Sequence, residues 1–447
     1  IPKKPEQPKP RKKYVYTRPD LNVLKDYPVP DDNMTKAQIE ERSHALEEVL
    51  NSFKIPAKVE SYTIGPTFTR FEMKMPLGIP VLKVTKFERD ITMILRTEGG
   101  IRMQIPIPGK NAFGVEIANS TRTIVGLKDI LQSYNFEKSK SPLTFALGKD
   151  INGECVVTNI EKTLHSLVAG QSGSGKSICL NVLLLSMMYK SSPEDVRFVL
   201  IDPKCVEFTR YNHLPHMLVP NVITDPEKAV KALHWACIEM DRRFNKMSQV
   251  GARDVGEFNR TPEVMSGLQE KLPFIVIVVD ELSDLLSQRK KEVEDEIRRL
   301  TAKSRAAGIF LILSTQRPSS DVVTGVIKAN LGTRIAFSVA SRTDSGVILD
   351  ATGAETLLGK GDMLLLLNGS SELKRIQGAL VTSEEIDAFI NEIKEKNECI
   401  YDESIEQEMF ADNDPGANFD VNKSEEAFDP LMKDALRAVI KRGTASA

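Results

Sequence analysis

The sequence lacks long apolar segments, since none of its apolar runs approaches the roughly 18 residues that span a membrane. No signal-peptide pattern is visible at its start. Its five cysteines form no C-x-x-C pair, and no histidine lies near them at metal-ligand spacing. Isolated thiols of this kind predict small core residues in a reducing cytoplasm, and they exclude a disulfide framework.

The sequence also lacks an excess of either charge, because its net charge is −2 over 447 residues. No global positive field therefore attracts nucleic acid, and any such contact must come from local basic patches. The length leaves room for about two or three domains with sizeable cores. The composition is typical of a soluble globular protein.

One glycine-rich loop matches the pattern G-x-x-x-x-G-K-[ST] between an apolar strand and an apolar helix. Its glycines let successive backbone N–H groups face inward toward phosphate oxygens, and the following helix adds its positive dipole end. Lys176 can reach the β- and γ-phosphates of a nucleotide, and the Ser177 hydroxyl can bind Mg²⁺. The predicted cofactors are ATP and Mg²⁺, and the predicted nucleotide-binding residues are Gly170, Gln171, Ser172, Gly173, Ser174, Gly175, Lys176, Ser177 and Ile178.

A second motif is the apolar run Phe274–Val279, which ends in Asp280 and Glu281. In a P-loop ATPase, Asp280 would hold the Mg²⁺ shell, and Glu281 would orient and deprotonate the attacking water. The plainer alternative is an ordinary helix N-cap. The distance from the P-loop favours the catalytic interpretation, and a glutamate at this position indicates hydrolysis.

A third apolar strand ends just before Thr315 and Gln316. The Gln316 amide would lie beside the Asp280 strand, where it could sense the γ-phosphate. The alternative is a glutamine that only hydrogen-bonds the backbone. A strand inserted between the P-loop strand and the Asp280 strand is typical of RecA-like ATPases. These commonly form rings, in which a basic residue from the neighbouring subunit completes the site.

The pattern along the chain predicts an α/β protein, in which a small α+β domain precedes a RecA-like P-loop ATPase domain whose strands form a parallel sheet. The basic cluster of the lead-in favours a solvated tether over a contact with lipid or DNA. The predicted segments are a Pro-rich basic linker (1–33), an α+β assembly domain (34–137), the ATPase domain (140–385), an acidic linker (386–428) and the start of a further domain (429–447).

Several stretches together resemble the motor of the FtsK/SpoIIIE family of bacterial DNA translocases. They include LVAGQSGSGKS, VRFVLIDPK, IVVDELSDLL, KSRAAGIFLILSTQRPSSDVVTGVIKANLGTRIAF and ILDATGAETLLGKGDMLL. The likeness runs in order from about residue 20 to 385. On this resemblance, 34–137 corresponds to the α domain, 140–385 to the β domain, and 429–447 to a truncated winged-helix γ domain.

The resemblance implies an ATP-driven ring, expected to be a hexamer, that moves double-stranded DNA during division or sporulation. It implies a full-length protein on the cytoplasmic side of the cell membrane, with membrane contact only through an N-terminal region absent here, and a soluble fragment. By position it makes Lys176, Ser177, Asp280 and Glu281 the Walker residues and Gln316 the sensor.

The resemblance also implies which basic groups act beyond their own subunit. Arg305 and Lys328 are expected to reach the neighbour's γ-phosphate, with Arg334 as the rival. Arg317 and Arg342 are expected to contact DNA phosphates, Arg342 from a loop at 341–346. Gly346 departs from the family pattern, which commonly has a basic residue in this segment.

Two other functions stay open from the sequence. One is an ATP-dependent coupling ATPase of the related type VII protein-secretion class, whose members typically string several ATPase domains together. The other is an ATP-binding scaffold that does not hydrolyse its nucleotide.

Overall fold

A computed structural model of the chain describes residues 14–28, 36–75, 82–95, 100–107, 109–119 and 121–411. The basic cluster at 3–13 and the predicted start of a winged-helix domain at 429–447 lie outside these residues. No helix in the described part of the chain combines the length and apolarity that crossing a bilayer requires.

The described residues 36–119, here called the small domain, pack three helices against one antiparallel sheet with strand order β1-β2-β4-β3. Alternating apolar residues on β2, such as Phe71 and Met73, pack into a core with Leu46 and Leu50 of the first helix. The elements are α1 (Lys36–Ser52), β1 (Lys58–Ile64), β2 (Phe68–Lys74), α2 (Leu82–Thr85), α3 (Glu88–Ile94), β3 (Arg102–Gln104) and β4 (Phe113–Ala118).

The described residues 121–411, here called the large domain, alternate strands and helices. The first half contains α4 (Leu127–Leu131), α5 (Tyr134–Lys138), β5 (Thr144–Lys149), β6 (Cys155–Asn159), α6 (Ile160–Thr163), β7 (Ser166–Ala169), α7 (Lys176–Lys190), β8 (Val196–Ile201), α8 (Pro226–Val250), α9 (Val255–Phe258) and α10 (Pro262–Met265). The second half contains β9 (Phe274–Val279), α11 (Leu282–Lys303), β10 (Ile309–Thr315), α12 (Gly325–Asn330), β11 (Thr333–Phe337), α13 (Arg342–Leu349), β12 (Asp362–Leu366), β13 (Leu373–Gly378), α14 (Ser383–Lys396) and α15 (Glu403–Phe410).

These strands form one nine-stranded sheet with the order β6-β5-β13-β12-β11-β7-β10-β9-β8. The five strands from β11 to β8 are parallel, and β10 lies between β7 and β9. This order confirms the predicted fold class, including the inserted strand. The prediction that the strands of the ATPase domain form a parallel sheet is wrong for β12, which pairs antiparallel with both β11 and β13.

Both faces of the parallel strands are buried, which explains why they read as continuous apolar runs. Successive side chains alternate between two cores: Val276 and Val278 of β9 pack on one face, and Ile275 and Ile277 on the other. Helices α8 and α11 cover the second face, and Trp235 of α8 is buried there. Of the five cysteines, only Cys205 is exposed, contrary to the prediction that all are core residues.

The end of the lead-in differs from the predicted linker. From Tyr14 onward the chain lies against the large domain, where the Tyr16 hydroxyl donates to Met188 O over 2.7 Å and Leu24 is buried. The Thr17 N–H donates to the Asn397 side chain over 2.7 Å. Apolar side chains spaced along this short segment outweigh its proline content and anchor it.

The predicted acidic linker also differs from the structure over its first part. Helix α14 buries Ile386, Phe389, Ile390 and Ile393 in the core of the large domain. These residues recur at i, i+3, i+4 and i+7, so one face is apolar although the segment is acidic overall. Helix α15 follows and buries Met409. An apolar stripe therefore decides the structure here, and the charge count does not.

The boundary between the domains lies earlier than the predicted 137. Helices α4 and α5 bury Ile130, Leu131 and Phe136 in the core of the large domain. Backbone hydrogen bonds tie the segment before them to Leu380, which donates to Val125 O and accepts from the Leu127 N–H. The change of domain therefore falls between β4 and α4.

Candidate functional site

The glycine-rich loop connects β7 to α7, and its glycines are required by backbone geometry. Gly173 and Gly175 have φ angles of +74° and +115°. A Cβ at Gly175 would lie 2.6 Å from Gly361 N, and one at Gly170 would lie 2.5 Å from Phe337 Cβ. Gly175 is the N-cap of α7 and offers no side-chain cap, so the first amides of a 15-residue helix are left for an anion.

Lys176, the first residue of α7, is buried with its amino group at the carboxyl ends of β9 and β10. Its Nζ donates to Asp280 O over 2.8 Å and to Ser314 Oγ over 2.9 Å, and it forms an ion pair with Asp280 Oδ1 at 3.1 Å. Burial raises the pKa of Asp280 above its usual value, and the Lys176 ammonium offsets only part of this rise. The inserted strand β10 thus supplies Ser314 as a third partner, which the sequence did not indicate.

Glu281 follows Asp280 and is held by several donors at once. Its carboxylate accepts from Thr315 Oγ1 at 2.7 Å, Ser283 Oγ at 2.9 Å and Gln316 N–H at 3.0 Å. Burial alone would raise the pKa of Glu281, but the hydrogen bonds from Thr315, Gln316 and Ser283 bring it below its usual value. The carboxylate is therefore kept ionised, as a general base requires.

The end of β8 adds two groups that the sequence reasoning missed. Asp202 is fully buried and accepts backbone N–H bonds from Lys204, Glu207 and Phe208, which fixes the following turn. That turn carries Lys204, whose Nζ lies 3.8 Å from Glu281 Oε2. The signal was present, because Asp202 ends an apolar strand in the same way as Asp280.

Hard oxygen donors that fit Mg²⁺ are present beside the loop. The Ser177 hydroxyl makes no hydrogen bond within the described residues, and the Asp280 carboxylate is buried nearby on the neighbouring strand end. Such an ion would be held by Ser177 and, through water, by Asp280, and it would neutralise charge on the phosphates. Within the described ranges, no three His, Cys, Asp or Glu side chains cluster as a metal site.

The three basic candidates for action on a neighbour lie away from this site. Arg305 precedes β10, and Lys328 and Arg334 lie before and at the start of β11, so all three lie toward the amino ends of parallel strands. Lys328 and Arg334 both pair with Asp350 at 2.5 Å. The Arg305 side chain is exposed and has no hydrogen bond or ion pair to any described residue. None of the three is brought to the P-loop of its own chain.

The two DNA-contact candidates differ in their surroundings. Arg317 is exposed just beyond β10, and its backbone N–H donates to Thr315 Oγ1. Arg342 forms ion pairs with Glu88 at 3.5 Å and Glu355 at 3.4 Å. The predicted loop at 341–346 is instead the start of helix α13, because the Ser341 side chain caps it by accepting from the Asp344 N–H.

A buried ionic cluster links the small domain to the loop. Glu116 on β4 is fully buried and pairs with Arg70, Arg102 and Arg375 at 2.6–3.0 Å. Arg375 also pairs with Asp362 at 2.6 Å. The residue before Asp362, Gly361, donates its N–H to Ser174 O in the P-loop over 2.8 Å. The small domain is therefore connected to the loop through three successive contacts.

A cavity of about 1060 Å³ opens at the P-loop. Residues 171–173 and 175–178 form one wall, and Gln316 lies beside them. The lining also includes residues of the small domain and of the connection between the domains. Most of the predicted loop residues, among them Lys176 and Ser177, therefore meet Gln316 in one cavity. Asp280 and Glu281 do not line it, but they contact Lys176 and the Gln316 N–H, respectively.

Comparison with known proteins decides the family. Residues 126–320 match the FtsK/SpoIIIE family, and residues 18–119 match the FtsK alpha domain. A protein of Haemophilus influenzae named DNA translocase FtsK is 40% identical, and the match covers 96% of this chain and 84% of that protein. The chain belongs to the FtsK/SpoIIIE family.

Two further proteins extend the comparison for this FtsK/SpoIIIE family member. DNA translocase FtsK of Clostridium tetani is 43% identical over 434 residues, covering 96% of this chain and 57% of that protein. The chain thus spans little more than half of this relative. The structure of the pCW3 conjugation coupling protein TcpA with ATPγS has a TM-score of 0.54 at 21% identity, covers 78% of this chain and 99% of its own, and supports the fold alone.

Proposed function

We propose that this chain is the motor of a double-stranded DNA translocase, which hydrolyses ATP and works as a homohexameric ring in bacterial chromosome segregation at division or sporulation. One observation carries the proposal: Lys176, Asp280, Glu281 and Gln316 converge at one edge of the sheet. The family relatives named DNA translocases support the substrate.

The chemistry follows from the position of each group. The loop amides and Lys176 would bind the phosphates, and Ser177 and Asp280 would hold Mg²⁺. Glu281 takes the proton of the attacking water, since its lowered pKa keeps it ionised. Gln316 would report the state of the γ-phosphate, because it lines the same cavity as the P-loop and its backbone N–H contacts Glu281 at 3.0 Å. Leaving-group charge would be offset by a basic residue from the next subunit.

Arg305 is the preferred residue for that role. It is exposed and has no partner within the described chain, whereas Lys328 and Arg334 are both ion-paired with Asp350. An exposed guanidinium can enter a neighbouring site without first breaking an ion pair. Each ATP site in the ring would then need residues from two neighbouring chains.

Arg317 is the main proposed contact with DNA. Arg342 is the second, and its charge is partly offset by Glu88 and Glu355. Arginine contacts to backbone phosphates hold the DNA but do not distinguish one base sequence from another. Binding should therefore weaken steeply as salt is raised.

The test is ATP turnover with and without linear duplex DNA, together with displacement of a triplex-forming strand from that duplex. The wild-type chain should hydrolyse ATP faster with DNA and displace the strand. Lys176→Ala and Glu281→Gln should abolish both activities, and Lys246→Ala, at an exposed lysine on α8, serves as the control.

Other outcomes would refute the proposal. Turnover that ignores DNA but responds to peptide substrates would favour the protein-secretion class. Turnover that survives Glu281→Gln would favour a scaffold without hydrolysis at this site.

A further inference from the structure

We infer that Thr67 of the small domain, together with Arg122 and Ile124 at the start of the large domain, forms the nucleoside-binding half of the nucleotide site. This inference rests on the proposed ATPase function. The P-loop accounts for the phosphates, but the cavity continues past it to the small domain and the inter-domain connection. Its volume of about 1060 Å³ exceeds what a triphosphate alone would fill. The ligand class is a nucleoside triphosphate with an aromatic base.

The first observation is an unpaired hydroxyl. Thr67 lies in the turn between β1 and β2, is only 4% exposed and lines the cavity. Its Oγ1 is buried and has no hydrogen-bond partner. A buried hydroxyl without a partner is unfavourable, and a polar atom of a ribose or base would satisfy it.

The turn that carries Thr67 is held rigidly by its neighbours. Asn119 donates its backbone N–H to Thr67 O over 2.9 Å and its side-chain N–H to Gly65 O over 2.8 Å. Thr123 donates its N–H to Pro66 O over 2.8 Å. Asn119 and Thr123 are thus both bonded to the turn, so Arg122, the neighbour of Thr123, is presented at a fixed place on the cavity wall.

The Arg122 side chain is exposed, lines the cavity, and has no hydrogen bond or ion pair to any described residue. Arg42, also on the wall, differs because its guanidinium donates to Ala118 O over 3.0 Å. A planar guanidinium that is not engaged elsewhere can stack on an aromatic base.

Ile124 supplies the apolar counterpart. It is 46% exposed, which is high for a large aliphatic residue beside a domain core, and it lines the same cavity. Ile178 at the start of α7 lines the cavity as well. A base between these side chains would bury apolar surface on its faces, and its edges would remain near Thr67.

The cavity wall at 122–124 lies next to the connection between the two domains. Residues 122–124 immediately precede the segment in which Val125 and Leu127 bond to Leu380 of the large domain. A bound nucleoside would therefore contact the small domain while its phosphates contact α7. Nucleotide binding would stabilise one arrangement of the two domains.

The experiment separates the two halves of the ligand by using two probes. The imido analogue of ATP, adenosine 5′-(β,γ-imido)triphosphate, reports the whole site, and inorganic tripolyphosphate reports the phosphate half alone. Binding of each is measured by calorimetry with the full chain. Thr67→Val and Arg122→Ala should each weaken binding of the analogue roughly fivefold or more and leave the affinity for tripolyphosphate unchanged. Lys176→Ala should weaken the binding of both probes.

Thr63→Val on β1 and Arg89→Ala on α3 are matched controls from the small domain that do not line the cavity. The inference is overturned if Thr67→Val and Arg122→Ala bind the analogue as well as the wild type does, or if they weaken both probes equally. A wild-type chain that binds neither probe would instead refute the proposed ATPase function.

Discussion

The Thr315 hydroxyl donates to the Glu281 carboxylate over 2.7 Å and accepts the Arg317 N–H at 3.0 Å. One side chain therefore connects the proposed general base to the backbone of a proposed DNA-contact residue. A shift of Arg317 on binding DNA would change how firmly Glu281 is held. This contact offers a physical route from DNA binding to hydrolysis.

Removing that hydroxyl should change the pH dependence of turnover. Burial raises the pKa of Glu281, and the Thr315 hydrogen bond is the largest of the contributions that lower it. In Thr315→Val the pKa of Glu281 should rise, so the acidic limb of kcat against pH should move to higher pH. Thr315→Ser keeps a hydroxyl and should retain the wild-type limb. Identical limbs for the Val and Ser variants would show that Thr315 does not set this pKa.

The buried Glu116 should make stability fall in acid. Its burial would raise its pKa, but Arg102, Arg375 and Arg70 lower it to about 2. Because the folded-state pKa lies below the unfolded value of about 4.3, the stabilisation is present above that value and lost as pH falls toward 2. The full contribution is on the order of 3 kcal/mol.

Urea unfolding at pH 6 and pH 3 tests this expectation. Glu116→Gln should be strongly destabilised at pH 6, by about 3–5 kcal/mol, because it leaves buried arginines without their partner. Its stability should then change less between the two pH values than that of the wild type. Glu48→Gln, at an exposed position on α1, is the control and should follow the wild-type curve. Equal pH dependence in Glu116→Gln and wild type would contradict the assigned pKa.

The residues of the site differ in how far the sequence could predict them. Lys176, Ser177, Asp280 and Glu281 belong to local patterns, in which a loop or a strand end fixes the chemistry within a few positions. The bond from Thr315 to Glu281 joins residues 34 positions apart, so it depends on β10 lying beside β9. Sequence reasoning placed that strand, but it had no basis for predicting that the Thr315 hydroxyl bonds to Glu281.

The elements of the fold also differ in how far the sequence could predict them. The strand of Phe274–Val279 has the predicted limits, because a doubly buried strand is a continuous apolar run. Helix α14 was missed, since its four buried apolar side chains are diluted by acidic residues in the same segment. Thr67 could not be singled out at all, because an unpaired hydroxyl is a property of the packed structure.

Arg305 should act on a neighbouring subunit. Arg305→Ala should reduce DNA-stimulated turnover by about 10³-fold or more if the guanidinium stabilises the transition state. Rings mixed from Arg305→Ala and Lys176→Ala chains should recover some turnover, because some interfaces then combine an intact arginine with an intact P-loop. Lys303→Ala, at an exposed lysine two residues earlier, is the control and should retain activity.

A failure of mixed rings to recover at any ratio would contradict action in trans by Arg305. The same mixing with Lys328→Ala or Arg334→Ala would then identify the residue that acts instead. Both are held by Asp350, so Asp350→Asn should also affect turnover in that case.

Gly346 gives a test of whether α13 faces DNA. It lies inside the helix, and a Cβ at this position would meet no atom within 4 Å. Gly346→Ala and Gly346→Arg should therefore both fold and should stabilise the protein by about 0.5–1 kcal/mol, since glycine is a poor residue inside a helix.

Only Gly346→Arg adds charge. If the helix lies along the duplex, that variant should bind DNA more tightly and steepen the dependence of log K on log salt by nearly one unit. A slope equal to that of Gly346→Ala would place α13 away from DNA, and Arg317 would then be the better-supported of the two proposed contacts.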